Sequence, residues 1–285
     1  MRQNDEQPAL NHLVNNVLES KKYRDVSASV IRGIGQRELG RRATLKEAIK
    51  ATRNKLHQVG SAYLTDRVNY GAWLAELEGI TQAGDSAELR RACQRMMGFH
   101  ASTRERLPIL EEFYRTILTD LAPIHTILDI ACGLNPLAIP WMPLEADLRY
   151  YACDIYQDMV DFLTRFMVLA GVPGQAYTGD AGDAGQVHAD RQVDVALVLK
   201  AIPCLEQIDK QAGYRLLHSL QAKYVVVSFP IYSLGGHHKG MAKHYEDHFW
   251  QLIEDQSWTV TKFVFATELV FVIDKRASLL AQHLG

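Results

Sequence analysis

Apolar positions in the first 120 residues recur at helical spacing, whereas beyond residue 124 they gather into short runs of strand length. Val14–Leu18 and Val26–Ile34 carry helix-like apolar spacing, and neither β-branched alternation nor a hairpin turn interrupts this part of the chain. A further helix has a defined start, because Thr44 followed by Glu47 forms an S/T-x-x-E capping box with Leu45 as first residue inside. Along it Leu45, Ile49, Thr52 and Leu56 form one stripe, and Arg42, Lys46, Lys50 and Arg53 a second, uniformly positive one. Like charges at these spacings repel by a few tenths of a kcal/mol per pair, so helix stability alone disfavours the second stripe and an anionic partner would offset its cost. Gly60–Tyr70 reads as a turn, Tyr70–Leu77 and Ala87–Met97 as helices. Thr103–Leu121 reads as one long helix, with Pro108 tolerated near its first turn.

The later runs are Thr126–Ala131, Leu148–Cys153, Val193–Leu199 and Tyr224–Phe229, rich in β-branched and apolar residues. Three of the gaps between them are long enough for a crossover helix, so the expectation is a parallel sheet covered on both faces. Thr259–Phe265 and Glu268–Ile273 then follow across a short turn, as an antiparallel pair. A parallel sheet closed by such a hairpin is the S-adenosylmethionine-dependent methyltransferase variant of the doubly wound, Rossmann-like α/β fold. The expected division is an all-helical domain over residues 1–120 and a cofactor-binding α/β domain over 121–285.

Composition adds one asymmetry. The formal net charge is −2, yet Ser20–Lys55 holds 11 basic residues against three acidic ones. One concentrated basic stretch in a balanced chain points to a polyanion contact, with a solvated helix face as the plainer alternative. No run approaches the roughly 18 apolar residues of a membrane span, and the polar, acid-bearing Met1–Leu10 does not read as a secretory signal. Cys93, Cys132, Cys153 and Cys204 are scattered without a CxxC, so reduced packing cysteines in a cytoplasmic protein are expected. His237, His238, His244 and His248 are irregularly spaced and no HExxH occurs, so no metal site is expected.

Candidate chemistry sits at the strand ends. The first strand runs into Asp129-Ile130-Ala131-Cys132-Gly133-Leu134-Asn135-Pro136, where Gly133 would let the turn pass close to a ligand. Asp154 ends the second strand, as expected of an acid that holds a ribose hydroxyl pair, and Asp180 ends the next segment, where an adenine amino group would bind. The G-x-G-x-x-G fingerprint is absent. Little provision for a dinucleotide's phosphates remains, and a cofactor with adenosine but no phosphate fits better.

Several longer strings are specific. They are Ser20-Lys21-Lys22-Tyr23-Arg24, Leu56-His57 with Gly60-Ser61-Ala62-Tyr63, and His100-Ala101-Ser102-Thr103-Arg104-Glu105-Arg106. With them stand the Asp129–Pro136 run, Ser228-Phe229-Pro230, Ser233-Leu234-Gly235-Gly236 and Lys239-Gly240-Met241. On these residues, from Ser20 to Ile273, the chain resembles the aminoglycoside-resistance 16S ribosomal RNA methyltransferases, the family that modifies N7 of a guanine in the decoding site. One departure is His237-His238 in place of the Arg-Gly common in relatives, which removes a fixed positive charge.

The resemblance implies S-adenosylmethionine as cofactor, 16S rRNA in the 30S subunit as partner, and roles for named residues. Arg106 would pair with the methionine carboxylate, since arginine offers a forked pair of donors, while His100, Ser102 and Tyr63 line that end. Ala131 and Gly133 would approach through backbone, Asp154 bind ribose, and Asp180 with Ala181 read adenine. Ile155 and Gln207 belong to the same set, and Leu199 with Lys200 closes the pocket. Ser228, Pro230 and Met241 would position the target base. Lys239 and the set Lys21, Lys22, Arg24, Arg42, Lys46, Lys50 and Arg53 would meet RNA. Plainer roles stay open: a surface position for Arg106, core packing for His100, Tyr63 and Met241. No acid–base pair is expected, because guanine N7 carries a free lone pair. A small-molecule methyltransferase with a helical lid, and a non-catalytic RNA-binding protein of the same fold, are the competing readings. The basic stretch argues against the first, and three acids at successive strand ends against the second.

Overall fold

The computed structural model describes residues 3–61, 68–179, 192–231 and 241–283. The first 120 residues form helices α1 (Gln3–Leu18), α2 (Ala28–Leu39), α3 (Leu45–Leu56), α4 (Tyr70–Ala83), α5 (Ser86–Met97), α6 (Ala101–Arg106) and α7 (Leu110–Leu118). Local chemistry fixes their ends. The Thr44 hydroxyl accepts from the Glu47 amide while the Glu47 carboxylate accepts from the Thr44 amide, each at 3.2 Å, so the predicted capping box forms. Asn69 and Asp85 cap α4 and α5 in the same way. The Thr103–Leu121 helix is a correction: it breaks into α6, a 3-10 turn over Leu107–Ile109 and α7. Pro108 lacks the amide hydrogen that a continuous helix would need there. A π-helical turn over His57–Ser61 overlaps the start of the stretch expected as a turn, Gly60–Tyr70.

The sheet is built from β1 (Thr126–Ile130), β2 (Arg149–Asp154), β3 (Gly174–Thr178), β4 (Val193–Leu199), β5 (Ala222–Pro230), β6 (Thr259–Val264) and β7 (Glu268–Asp274). Their order is β3-β2-β1-β4-β5-β7-β6, parallel through β5, with β7 antiparallel to both β5 and β6. The expected parallel sheet with an antiparallel terminal hairpin is therefore present. Helices α8 (Gln157–Leu169), α9 (Ile202–Ile208), α10 (Ala212–Ser219), α11 (Met241–Leu252) and α12 (Arg276–His283) complete the described chain.

Each face of the sheet has its own apolar core. One core joins Phe162 and Phe166 of α8 and Phe113 of α7 to Leu13 of α1 and Ile31 and Ile34 of α2, so the N-terminal helices share the core of the sheet. The other packs Ile202, Leu216, Leu217 and Phe249 of α9, α10 and α11 against Val225, Val227 and Phe271. Phe249 stacks flat on Phe271, with centroids 3.8 Å apart and planes 6° apart. The parallel strands deliver the C-terminal ends of β1, β2 and β4 to one edge, where doubly wound folds place their ligands.

Candidate functional site

At that edge the backbone takes conformations that side chains disfavour. Ala131 (φ 50°) and Gly133 (φ 53°) turn the chain out of β1, and Lys200 (φ 58°) turns it out of β4. Left-handed conformations at non-glycine residues cost on the order of 1–3 kcal/mol each and gather at functional sites. Asp154 stitches the turn together. One carboxylate oxygen accepts from the Gly133 amide at 2.8 Å and the other from the Ile155 amide at 2.7 Å. Burial raises the Asp154 pKa, and these amides partly offset that. The Gly133 amide is thereby engaged by protein, which removes a donor that a phosphate would otherwise use; the Tyr156 amide is a third donor to Asp154, and the carboxylate keeps acceptor capacity for a hydroxyl.

A narrow cleft, partly open to solvent, lies over these strand ends. His100, Ser102, Ala131, Asp154, Ile155, Leu199 and Lys200 line it, seven of the positions named from sequence. Val30, Val59, Gly60, Leu205 and Ile208 supply an apolar wall that sequence reasoning missed. Val30 lies on α2 and Val59 with Gly60 on the π turn, so the helical region builds part of the cavity. It is tied there by backbone hydrogen bonds from Ser27 to Ile155 and from Gln157 to Asp25, both 2.8 Å, flanking a bridge between Val26 and Tyr156. A Cβ at Gly60 would come within 2.5 Å of the Tyr156 hydroxyl, which gives this glycine a steric reason. Lys55 adds a clamp by donating to the Ile208 carbonyl at 2.6 Å. An apolar wall suited to a purine, beside a carboxylate with free lone pairs, fits an adenosine cofactor without phosphates.

Beneath the cavity runs a buried polar network. The Arg106 guanidinium contacts the Glu268 carboxylate through Nε (2.8 Å) and Nη2 (2.9 Å) and donates to Asn135 Oδ1 at 2.8 Å. Asn135 in turn donates to Asp129 at 2.9 Å, and Tyr150 donates to the same oxygen at 2.7 Å. Lys200 joins at the cavity side, 2.8 Å from Glu105 and 3.3 Å from Glu268. Burial pushes the Glu268 carboxyl up, but Arg106 and Lys200 more than offset it and hold the group below its ordinary value. Asp129, with weaker compensation, is pushed up to about 6. Burial, with Lys200 and Arg106 nearby, lowers His100 to about 4, which keeps its imidazole neutral at pH 7.

A profile of the ribosomal RNA methyltransferase family FmrO matches residues 19–272. The chain belongs to this family. A Micromonospora rosea protein named 16S rRNA (guanine(1405)-N(7))-methyltransferase is 34% identical over 261 residues, covering 91% of this chain and 94% of that protein. A Frankia casuarinae protein of the same name is 36% identical, covering 94% of each. Among solved structures, that of the 16S rRNA methyltransferase RmtF in complex with S-adenosyl-L-homocysteine superposes with a TM-score of 0.75 at 31% identity. The alignment covers 96% of this chain and 99% of that one. The 16S rRNA methylase RmtB superposes with a TM-score of 0.72 at 28% identity, over 93% of this chain and 98% of that one.

Three members of the expected cofactor set are placed elsewhere in this family member. Arg106 is a correction: it is 1% exposed and its fork is filled by Glu268, a carboxylate 162 residues away, rather than pointing into the cavity. Gly133 is not among the lining residues but abuts two of them, donating to Asp154 and leaving room for the His100 ring, which an added Cβ would meet at 2.7 Å. Gln207 is exposed on α9 and lies outside the described lining. Ser228 is also corrected, because it is fully buried in β5 and is not among the residues lining the cleft. Pro230 ends β5 and Met241 begins α11, both half-buried. Tyr63, Asp180, Ala181, Lys239 and the His237-His238 pair lie outside the described residues.

The basic set is largely on the surface. Lys21, Lys22, Arg24, Arg42, Lys46 and Lys50 are exposed, with Arg42 paired to Glu38 at 3.0 Å and Arg24 to Asp25 at 3.2 Å. Arg53 is the exception: it is half-buried and donates to the Asn16 carbonyl at 2.7 Å, binding α3 to α1. Among the described residues no group of three metal-ligating side chains occurs, and no helix is long and apolar enough to cross a membrane.

Asp154→Ala is expected to weaken S-adenosylhomocysteine binding by about 10- to 100-fold, the worth of hydrogen bonds to a charged acceptor. Titration calorimetry checks this, and an unchanged affinity would overturn the ribose role.

Proposed function

We propose that this protein transfers a methyl group from S-adenosylmethionine to N7 of guanine 1405 of 16S rRNA, in the assembled 30S subunit, and so confers aminoglycoside resistance. The observation that carries the reading is a cavity walled jointly by methyltransferase strand ends and by helices whose outer face is basic. Relatives named for this reaction align with nearly the whole chain. In this reading residues 1–120 dock the RNA and residues 121–285 hold the cofactor, with the cytoplasm as the place of action.

When bound, S-adenosylmethionine supplies a methyl group already activated by its sulfonium. The residues present then have to bind and orient rather than move protons. Asp154 takes the ribose hydroxyls, and Val30, Val59, Leu205 and Ile208 enclose the apolar part. Neutral His100, hydrogen bonded to Ser102 at 3.0 Å, and Lys200 complete the lining. Orientation of this kind supplies on the order of 7–11 kcal/mol of barrier reduction. Guanine N7 lies in the deep, narrow groove of A-form RNA, so the base has to be exposed before it reaches the cavity. Lys46 and Lys50 on α3, beside Arg41 and Arg42, face solvent where a phosphate backbone would dock.

The test incubates the purified protein and radiolabelled S-adenosylmethionine with 30S subunits, naked 16S RNA or a panel of metabolites. Label is expected in 30S subunits at guanine N7. Label in metabolites alone would replace this reading with a small-molecule methyltransferase, and no label in 30S subunits would sink it.

A further inference from the structure

Outside the cavity, α9 and α11 are joined by one directional contact: the His248 imidazole donates from Nε2 to Glu206 Oε2 at 2.7 Å. The side chains are 27% and 12% exposed, so the contact is well shielded from water. Leu205 and Ile208, on either side of Glu206, line the cavity. α11 begins at Met241, and Met241, Tyr245 and His248 follow at spacings of four and three, which puts them on one face of that helix. On that face Tyr245 stacks on Phe229 of β5, with centroids 5.0 Å apart and planes 20° apart. This stack sets how far α11 stands from the sheet, and Phe249, fully buried against Phe271, anchors its inner face; offset stacking tolerates a range of displacements. A short hydrogen bond to a carboxylate is directional. The Glu206 side chain is itself confined, since a Cβ at Gly213 of α10 would lie 2.6 Å from its Oε1.

We infer that Glu206 and His248 are positioning residues for methyl transfer: with Phe249 anchoring α11 in the core, their hydrogen bond fixes the side of that helix nearest α9, and so aims Met241 at the base beside the cofactor wall of α9. Seven residues of helix separate His248 from Met241, about 10 Å along the axis, so the link acts without touching substrate. The inference rests on the reading that Met241 meets the target base.

The experiment measures single-turnover methylation of 30S subunits at saturating S-adenosylmethionine for full-length variants, with 30S and S-adenosylhomocysteine affinities and thermal melts alongside. His248→Ala is expected to slow transfer about tenfold, as small misplacements of a reacting group do, with both affinities within about twofold of the parent. Glu206→Ala is expected to give the same loss and the double variant no more, and His248→Gln, whose amide can still donate to Glu206, to restore most of the rate. An unchanged rate in His248→Ala, an equal fall in cofactor affinity, additive losses or failure of His248→Gln to rescue would each overturn the inference. Met241→Ala separates the two levels. If it slows transfer while His248→Ala does not, the link alone fails; if it leaves transfer intact, the base-positioning reading of α11 fails, and the inference with it.

Discussion

Glu268→Ala is expected to lower the free energy of unfolding by about 3–5 kcal/mol, the usual cost of removing one partner from a buried ion pair. The carboxylate is fully buried and faces two cations, Arg106 at 1% exposure and Lys200 at 3.3 Å. Alanine leaves Arg106 without a counter-ion in the core. Lys200 keeps Glu105, which is partly exposed and a weaker anchor. The loss extends to the site, because Arg106 holds Asn135, just past the strand-end turn, and Asn135 holds Asp129 near the end of β1. Urea unfolding measures the first effect, and calorimetry on the folded variant measures a fall in cofactor affinity. A stability change below about 1 kcal/mol would mean that the network is incidental. Arg106→Met combined with Glu268→Leu is expected to recover much of the stability, since replacing a buried pair by apolar groups of similar size is often neutral or better.

Lys46→Glu combined with Lys50→Glu is expected to reduce affinity for 30S subunits by on the order of 100-fold at physiological salt, by reversing two charges at a phosphate-facing surface. Both lysines are exposed and one turn apart on α3, and neither lines the cleft. The slope of log affinity against log salt should fall by about two, one for each contact. Cofactor affinity should not change. If it fell in parallel with RNA binding, the basic face would be a structural element of the fold rather than a docking surface.

Features encoded by neighbours in sequence were legible, and those encoded by packing were not. Thr44 and Glu47 announce a helix start because both halves of the capping box lie within one turn. The Val193–Leu199 strand was legible in full, since burial on both faces demands an unbroken apolar run. Arg106 shows the opposite case. Nothing near it predicts that its charge will be met by a residue on the terminal hairpin. Gly133 carried the expectation of close approach, but the His100 ring that packs there, from the N-terminus of α6, has no signature near Gly133 in sequence. Ser228 was misjudged because a hydroxyl inside an apolar run reads equally as a strand-end ligand or as an internal acceptor's partner. The contribution of Val30 and Val59 to the cavity has no local signature, and only Gly60, in a distinctive string, hinted at a tight contact.

The wall built by Val30, Val59 and Gly60 bears on inhibitor design. A compound that fills the cleft and rests on Val30 and Val59 draws part of its binding from residues outside the sheet and its crossover helices. A host methyltransferase with only the doubly wound sheet offers no such surface. Selectivity is therefore available inside the cofactor pocket, where competitive inhibitors of this enzyme class would otherwise be least discriminating.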